Sequence, residues 1–154
     1  MYAGRLETSL FGTCNDSVDG VLSFREVERW ARHLYELNCD LMVAYGNEIP
    51  LLYEAGVVYK TIENACGGDI FQDCRVLNER KAGDCGTLAC YLAAERTVKF
   101  GVLTKPYVRR KWPNCDFALY HVLCRNMLTG DFDDPSVVLG MNDASLESTL
   151  GMAG

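Results

Sequence analysis

The chain has 154 residues, of which 49% are hydrophobic and 23% are charged, and its formal net charge is −6. This length and composition predict one domain with a real core and exclude a disordered chain. The negative charge argues against a general phosphate-binding surface, so we expect no nucleic-acid partner. No apolar run reaches the roughly 20 residues of a membrane helix, and the N-terminal segment lacks the pattern of a signal peptide. We therefore expect no membrane partner and no secretion.

Residues 15–26 resemble the loop of an EF-hand calcium site. Asn15, Ser17 and Asp19 stand at the first, third and fifth positions of that loop, and Glu26 stands at the twelfth. The first position is normally aspartate, so the match is imperfect. The alternative is a plain turn followed by a capping box, in which Ser23 and Glu26 begin a helix. Calcium at this loop stays one of two interpretations.

The next part of the chain indicates helices. Apolar residues recur at helical spacing from Phe24 to about Tyr45, which predicts one long amphipathic helix. Gly56 to Tyr59 is typical of a short β-strand, and Ile70 to Glu79 is interpreted as a short helix. A segment rich in Leu, Ala, Glu and Arg predicts a strong helix from Asp84 or Cys85 to about Phe100. The first dozen residues and the segment after about Asn142 have the composition of flexible ends.

After residue 101 the pattern changes to strands. Lys105 to Lys111 and Phe117 to Arg125 are the two main candidates, and the second is apolar on both faces, as in a central strand. Asn126 to Gly130 predicts a turn, and Asp131 to Asp134 predicts a return strand. Helices followed by an antiparallel sheet indicate an α+β fold with an N-terminal helix.

Eight cysteines are a high number for this length. Because the sequence shows no export signal, we interpret most of them as reduced and buried rather than as a disulfide framework. No two cysteines have the CxxC spacing, and the chain has two histidines. A structural zinc site is therefore not expected.

Three residues in the order Cys, His, Asp form the candidate catalytic group. Cys85 lies where a loop enters a helix, and a helix N-terminus stabilises a thiolate through its unpaired N–H groups and its dipole. His121 in a strand would move the proton, and a carboxylate after the next turn would fix its tautomer. An even number of residues in that turn selects Asp134, and an odd number selects Asp133. The alternative is a buried structural cysteine and a core histidine.

The order of these elements resembles the transglutaminase-like branch of the papain-like cysteine enzymes. Residues 81–85 (KAGDC), 120–122 (YHV) and 134–136 (DPS) carry the resemblance. Residues 50–59, 71–73 and 134–141 are similar, more narrowly, to small transglutaminase-like proteins found among phage and prophage structural genes. The likeness covers roughly residues 48–141, which makes that segment a catalytic-type core of a single domain (1–154). Residues 1–47 are then an N-terminal helical extension and 142–154 a C-terminal tail.

The resemblance implies a papain-like core, with the nucleophile Cys85 on a helix packed on an antiparallel sheet, the base His121 and the acid Asp134. It implies an amidohydrolase or peptidase that forms a thioester, requires no cofactor and acts on a protein or peptide amide in phage assembly or in a cell wall. The alternative is a non-catalytic virion component, such as a head–tail connector or tail protein, with other phage structural proteins as partners. Both the enzyme and the virion component are expected in the host cytoplasm or in the virion.

Two expectations concern the details of the site. The second donor to an oxyanion is a side-chain amide, for which Gln72 is the first candidate and Asn78 the second. For each of these two residues, the alternative is a purely structural role as a surface amide or a helix cap. The family commonly carries acidic residues after the nucleophile, whereas this chain has Gly86 and Thr87. This departure bears on contacts with the substrate more than on the nucleophile.

Overall fold

The structure, a computed structural model, describes residues 7–9, 24–60, 70–110 and 120–141. Two single-turn 3₁₀ helices lie at Gly46–Glu48 and Leu52–Glu54. In the part of the chain that is described, no helix combines the length and the apolar character needed to cross a membrane. The other elements, in chain order, are β1 (Glu7–Ser9), α1 (Phe24–Tyr45), β2 (Val58–Tyr59), β3 (Ile70–Gln72), α2 (Cys74–Arg80), β4 (Ala82–Gly83), α3 (Cys85–Phe100), β5 (Thr104–Arg110), β6 (Tyr120–Asn126), β7 (Phe132–Asp133) and α4 (Pro135–Val138).

Helix α3 is the centre of the fold. Its ends are set by the sequence, since Asp84 accepts a hydrogen bond from the N–H of Thr87 and Gly101 takes the left-handed conformation (φ 68°) that ends the helix. All residues from Gly86 to Glu95 are buried. The helix is buried on so many sides because α1 packs on one flank and the sheet packs on another. Its first residue is the predicted nucleophile.

Helix α1 has the predicted bounds and packs against α3 through one apolar stripe. Val27, Ala31 and Leu34 lie on that stripe and are at most 1% exposed. The thiol of Cys90 donates to the carbonyl oxygen of Ala31 at 3.3 Å, so the two backbones approach closely. The burial of this stripe, rather than helix propensity alone, stabilises a 22-residue helix.

Strands β5, β6 and β7 form an antiparallel sheet in that order. One face of the sheet carries Val108, Val122 and Cys124, and it joins the core. The Cys124 thiol donates to the carbonyl oxygen of Ala89 at 3.1 Å, and this hydrogen bond links the face directly to α3. The protein is therefore a mixed helix-and-sheet structure, compatible with the predicted α+β class and with a helix packed on an antiparallel sheet.

Two predicted elements need correction. Ile70 to Glu79 is not one helix, because the carboxylate of Asp73 accepts from the N–H groups of Arg75 and Val76 and so begins the helix only at Cys74. The residues before the cap form strand β3. Within the first dozen residues, which were expected to be flexible, Glu7–Ser9 form β1 and pair antiparallel with β3. Strands β2 and β4 pair in parallel, and the sequence did not predict this pairing.

Asn38 links α1 to the start of α2. It is fully buried, and its Oδ1 accepts from the N–H of Cys74 at 2.9 Å. We expect Asn38→Ala to lower the free energy of unfolding by about 1–3 kcal/mol, because it leaves that buried N–H without an acceptor. Urea unfolding checks this, with Asn47→Ala on an exposed turn as the control. A loss in Asn38→Ala no larger than in the control would contradict the role.

Candidate active site

Cys85 is the first residue of α3 and is half-buried. Strand β4 precedes it, and Asp84 caps the helix that it begins. The thiol therefore lies in the first turn, where the positive end of the helix dipole favours a thiolate. The sequence predicted this position from the loop-to-helix change at residues 83–85.

Backbone hydrogen bonds bring α4 to this end of α3. The N–H of Lys60 donates to Gly83 at 2.8 Å, and the N–H of Tyr59 donates to Leu139 at 2.9 Å. Strand β2 therefore bridges the residues before Cys85 to the residues after α4. Helix α4 also packs directly on α3. The segment that begins at Asp134 is thereby held beside the helix that begins at Cys85.

His121 and Asp134 form a hydrogen-bonded pair. The imidazole Nε2 lies 2.7 Å from the Asp134 Oδ2, and the histidine side chain is 1% exposed. The other carboxylate oxygen, Oδ1, accepts from the N–H of Ser136 at 3.0 Å. Both oxygens of Asp134 are thus engaged, which fixes the carboxylate and, through it, the orientation of the imidazole.

The turn between β6 and β7 decides between the two aspartates. Cys124 pairs with Asp133, which leaves the four residues 127–130 as the loop. This is the even case, and Asp134 meets His121. The side chain of Asp133 leaves the other face of the hairpin and forms an ion pair with Arg96 of α3. The two adjacent carboxylates therefore have separate partners.

The second ring nitrogen of His121, Nδ1, is buried and has no hydrogen bond within the described residues. A neutral imidazole that donates from Nε2 to a carboxylate has an unprotonated Nδ1, which accepts protons. No hydrogen bond joins this nitrogen to Cys85. His121 also lies, by strand alternation, on the face opposite Val122.

The two candidate amides differ in their hydrogen bonds. Gln72 is fully buried, and neither its Nε2 nor its Oε1 has a hydrogen-bond partner among the described residues. Its backbone N–H donates to Thr87 Oγ1 at 3.1 Å, which ties β3 to the first turn of α3. The amide nitrogen of Asn78 instead donates to Cys74 O and to Tyr91 Oη, both at 2.9 Å. Both hydrogens of that amide are therefore in use.

The glycine that follows the predicted nucleophile has a packing reason. A Cβ atom built on Gly86 would lie 2.2 Å from Cε1 of Phe71, a fully buried ring. No side chain fits at position 86 while that ring is present. Gly86 and Phe71 are thus a matched pair, fifteen positions apart in the chain.

Burial disfavours ionisation of the four other described thiols. Burial raises the pKa of Cys74 to about 12 and raises the pKa of Cys39, Cys90 and Cys124 as well. Such thiols are protonated and slow nucleophiles at neutral pH. The five described cysteines are free, and Cys14, Cys66 and Cys115 lie outside the described residues.

The calcium hypothesis falls largely outside the described residues. Asn15, Ser17 and Asp19 are not among them, nor is Ser23, the other half of the capping box. Glu26 is in the first turn of α1. Within residues 25–60, 71–109 and 120–141, no three His, Cys, Asp or Glu side chains cluster as metal ligands. The calcium site stays a prediction.

Sequence reasoning missed the contribution of Ser136 to the site. The signal was present in residues 134–136, because Asp followed by Pro is the pattern of an N-cap with proline in the first turn. Asp134 begins α4 for this reason, and its backbone leaves the strand direction there. Comparison of the chain with protein-family models, with curated proteins and with solved structures gives no match.

Proposed function

We propose that the protein is a cysteine amidohydrolase or peptidase with a papain- or transglutaminase-like core. The observation that carries the proposal is the 2.7 Å bond between His121 and Asp134, which leaves a buried Nδ1 free of hydrogen bonds among the described residues. A structural core histidine is expected to use both ring nitrogens. A general base keeps one nitrogen for the reacting proton.

The mechanism begins with transfer of the Cys85 proton to His121 Nδ1, which requires the thiol and the imidazole to close to hydrogen-bond distance. The thiolate attacks the carbonyl carbon of an amide, and the negative oxygen receives hydrogen bonds from the first turn of α3 and from Gln72 Nε2. The imidazolium then protonates the leaving amine, and a thioester forms. Water, deprotonated by His121, attacks the thioester and releases a carboxylic acid and the thiol. An amine in place of water gives an amide crosslink.

Brief labelling with iodoacetamide near pH 6 tests the proposal. An ordinary thiol, with a pKa of about 8.5, is almost wholly protonated at that pH. We expect fast alkylation at Cys85 only, because an activated thiolate is the reactive form and burial suppresses the other described thiols. Peptide mapping of all eight cysteines gives the rates. His121→Ala should slow Cys85 by about 100-fold or more.

The second candidate is a non-catalytic virion component on the same fold. Hydrophobic side chains at the β6–β7 turn favour it, because Leu128 is 85% exposed and Met127 is 43% exposed. Contiguous exposed apolar patches mark surfaces that pair with other chains, and in this candidate the two adjacent residues would belong to one. Labelling without preference for Cys85 would support this candidate and overturn the enzymatic one.

A further inference from the structure

The outer face of the sheet carries an unusual group of side chains beside the His121–Asp134 pair. Strand register places Arg109 opposite His121, Tyr107 opposite Leu123, and Phe132 opposite Arg125. Because side chains alternate along a strand, these residues share the face of His121. We call Tyr107, Arg109, Arg125 and Phe132 the arginine–aromatic face.

The four side chains stack on one another. The rings of Tyr107 and Phe132 meet edge to face, with centroids 5.0 Å apart. The guanidinium of Arg125 lies 5.8 Å from the first ring and 5.7 Å from the second, and that of Arg109 lies 5.5 Å from Phe132. Together they cover Leu123, which is 4% exposed, while the two rings are themselves 38% and 45% exposed. The stack is an ordered surface and not a set of independent side chains.

The two arginines of this face have no ion-pair partner within the described residues, and the acidic side chains of α1 (Glu28 and Glu36) line a pocket at Lys105 and Tyr107 instead. Among the described residues, the Nε of Arg125 is buried without a hydrogen bond, and the neighbouring Lys105 is exposed. Asp134 is the one carboxylate that the described strand positions place on this face, and both of its oxygens are already engaged. A guanidinium stacked on a ring keeps its in-plane N–H groups for a carboxylate. The rest of the chain is acidic, since the net charge is −6.

We propose that the arginine–aromatic face binds an acidic segment of the protein or peptide substrate. This rests on the proposed function and specifies its substrate class. Arg109 of β5 lies directly opposite His121. Arg125 lies four residues after His121 along β6, a distance of about 13 Å at 3.3 Å per residue. An extended substrate therefore carries its carboxylates within about four residues of the reacting amide. A nucleic acid is disfavoured as occupant because the chain is acidic and this cationic surface is small.

The test measures binding apart from catalysis. A dye-labelled peptide with three glutamates spaced by glycines is titrated into Cys85→Ala and followed by fluorescence anisotropy, beside a matched peptide with glutamines. We expect binding of the glutamate peptide alone, weakened at least about tenfold by Arg109→Gln with Arg125→Gln. Arg29→Gln, on the exposed face of α1, is the charge-matched control and should change nothing. Rising salt should weaken binding to the Cys85→Ala chain even without arginine substitutions.

Protection of Cys85 from iodoacetamide tests whether the bound segment is substrate. In the protein with Cys85 intact, the glutamate peptide should slow alkylation of Cys85, and the double arginine variant should lose this effect. Equal binding of both peptides would overturn the proposal. Binding that is unchanged in the double arginine variant, or a preference for a thymidine 20-mer, would overturn it as well. Binding without protection of a fast-reacting Cys85 would overturn the substrate assignment. Binding with a slow Cys85 would instead overturn the proposed enzyme and leave a docking surface for an acidic partner.

Discussion

Alanine at position 86 should lower the free energy of unfolding by about 2–3 kcal/mol. A methyl group there would meet the Phe71 ring at 2.2 Å, and the ring is fully buried, so the ring or the β3 and α3 backbones must shift. Overpacking of a well-filled core costs about 1–3 kcal/mol and occasionally more. The effect is notable because glycine to alanine in a helix otherwise stabilises by up to about 1 kcal/mol. Urea unfolding of Gly86→Ala measures the difference.

Two further variants separate the clash from other causes. Gly46→Ala is the matched control, because nothing lies within 4 Å of the Cβ position there. Phe71→Leu combined with Gly86→Ala should be less destabilised than the sum of the two single changes, since the smaller side chain makes room for the methyl group. If Gly86→Ala unfolds like Gly46→Ala, or if the two losses at positions 71 and 86 simply add, the matched-pair explanation is wrong.

The pair of Gly86 and Phe71 shows which features can be predicted from the sequence and which cannot. Residues 83–85 predicted where α3 begins, because a helix N-terminus has a local pattern of cap and turn residues. The reason for glycine at position 86 is a contact with β3, and no local pattern reports a contact between segments fifteen residues apart. Strand β3 itself was predicted as helix, since its three residues are too few to show a period of two.

The same distinction holds for the candidate site. From the sequence, an even or an odd number of turn residues gave two possible partners of His121, Asp134 or Asp133. The structure has four turn residues, 127–130, and this even number selects Asp134. The sequence ranked Gln72 before Asn78 as the candidate oxyanion donor but could not show which of the two amides is already hydrogen-bonded. Only the structure shows that the hydrogens of Asn78 are taken by Cys74 and Tyr91. Local chemistry was predictable, whereas the satisfaction of each polar group depends on the packed neighbours.

Replacing Asp134 by asparagine should slow the alkylation of Cys85 near pH 6 by about 100-fold, a magnitude typical of impaired general-base catalysis. Asparagine has almost the same shape and also caps helices well, so α4 is retained. The amide cannot stabilise an imidazolium, and it permits the wrong tautomer of His121. Asp133→Asn is the matched control, because the adjacent carboxylate pairs with Arg96 instead, and its rate should stay within about threefold of the unmodified chain.

The pH dependence distinguishes a lost base from a damaged site. Above about pH 8.5 an ordinary thiol ionises without help, so the labelling rates of Asp134→Asn and the unmodified protein should converge as pH rises. A gap that stays constant up to pH 9 would indicate blocked access rather than a missing proton acceptor. Equal slowing in Asp133→Asn, or none in Asp134→Asn, would remove the carboxylate from the mechanism. Convergence, with Asp133→Asn unaffected, would assign to Asp134 the orientation of His121 toward Cys85, which is the step that a hydrogen bond of 2.7 Å prepares.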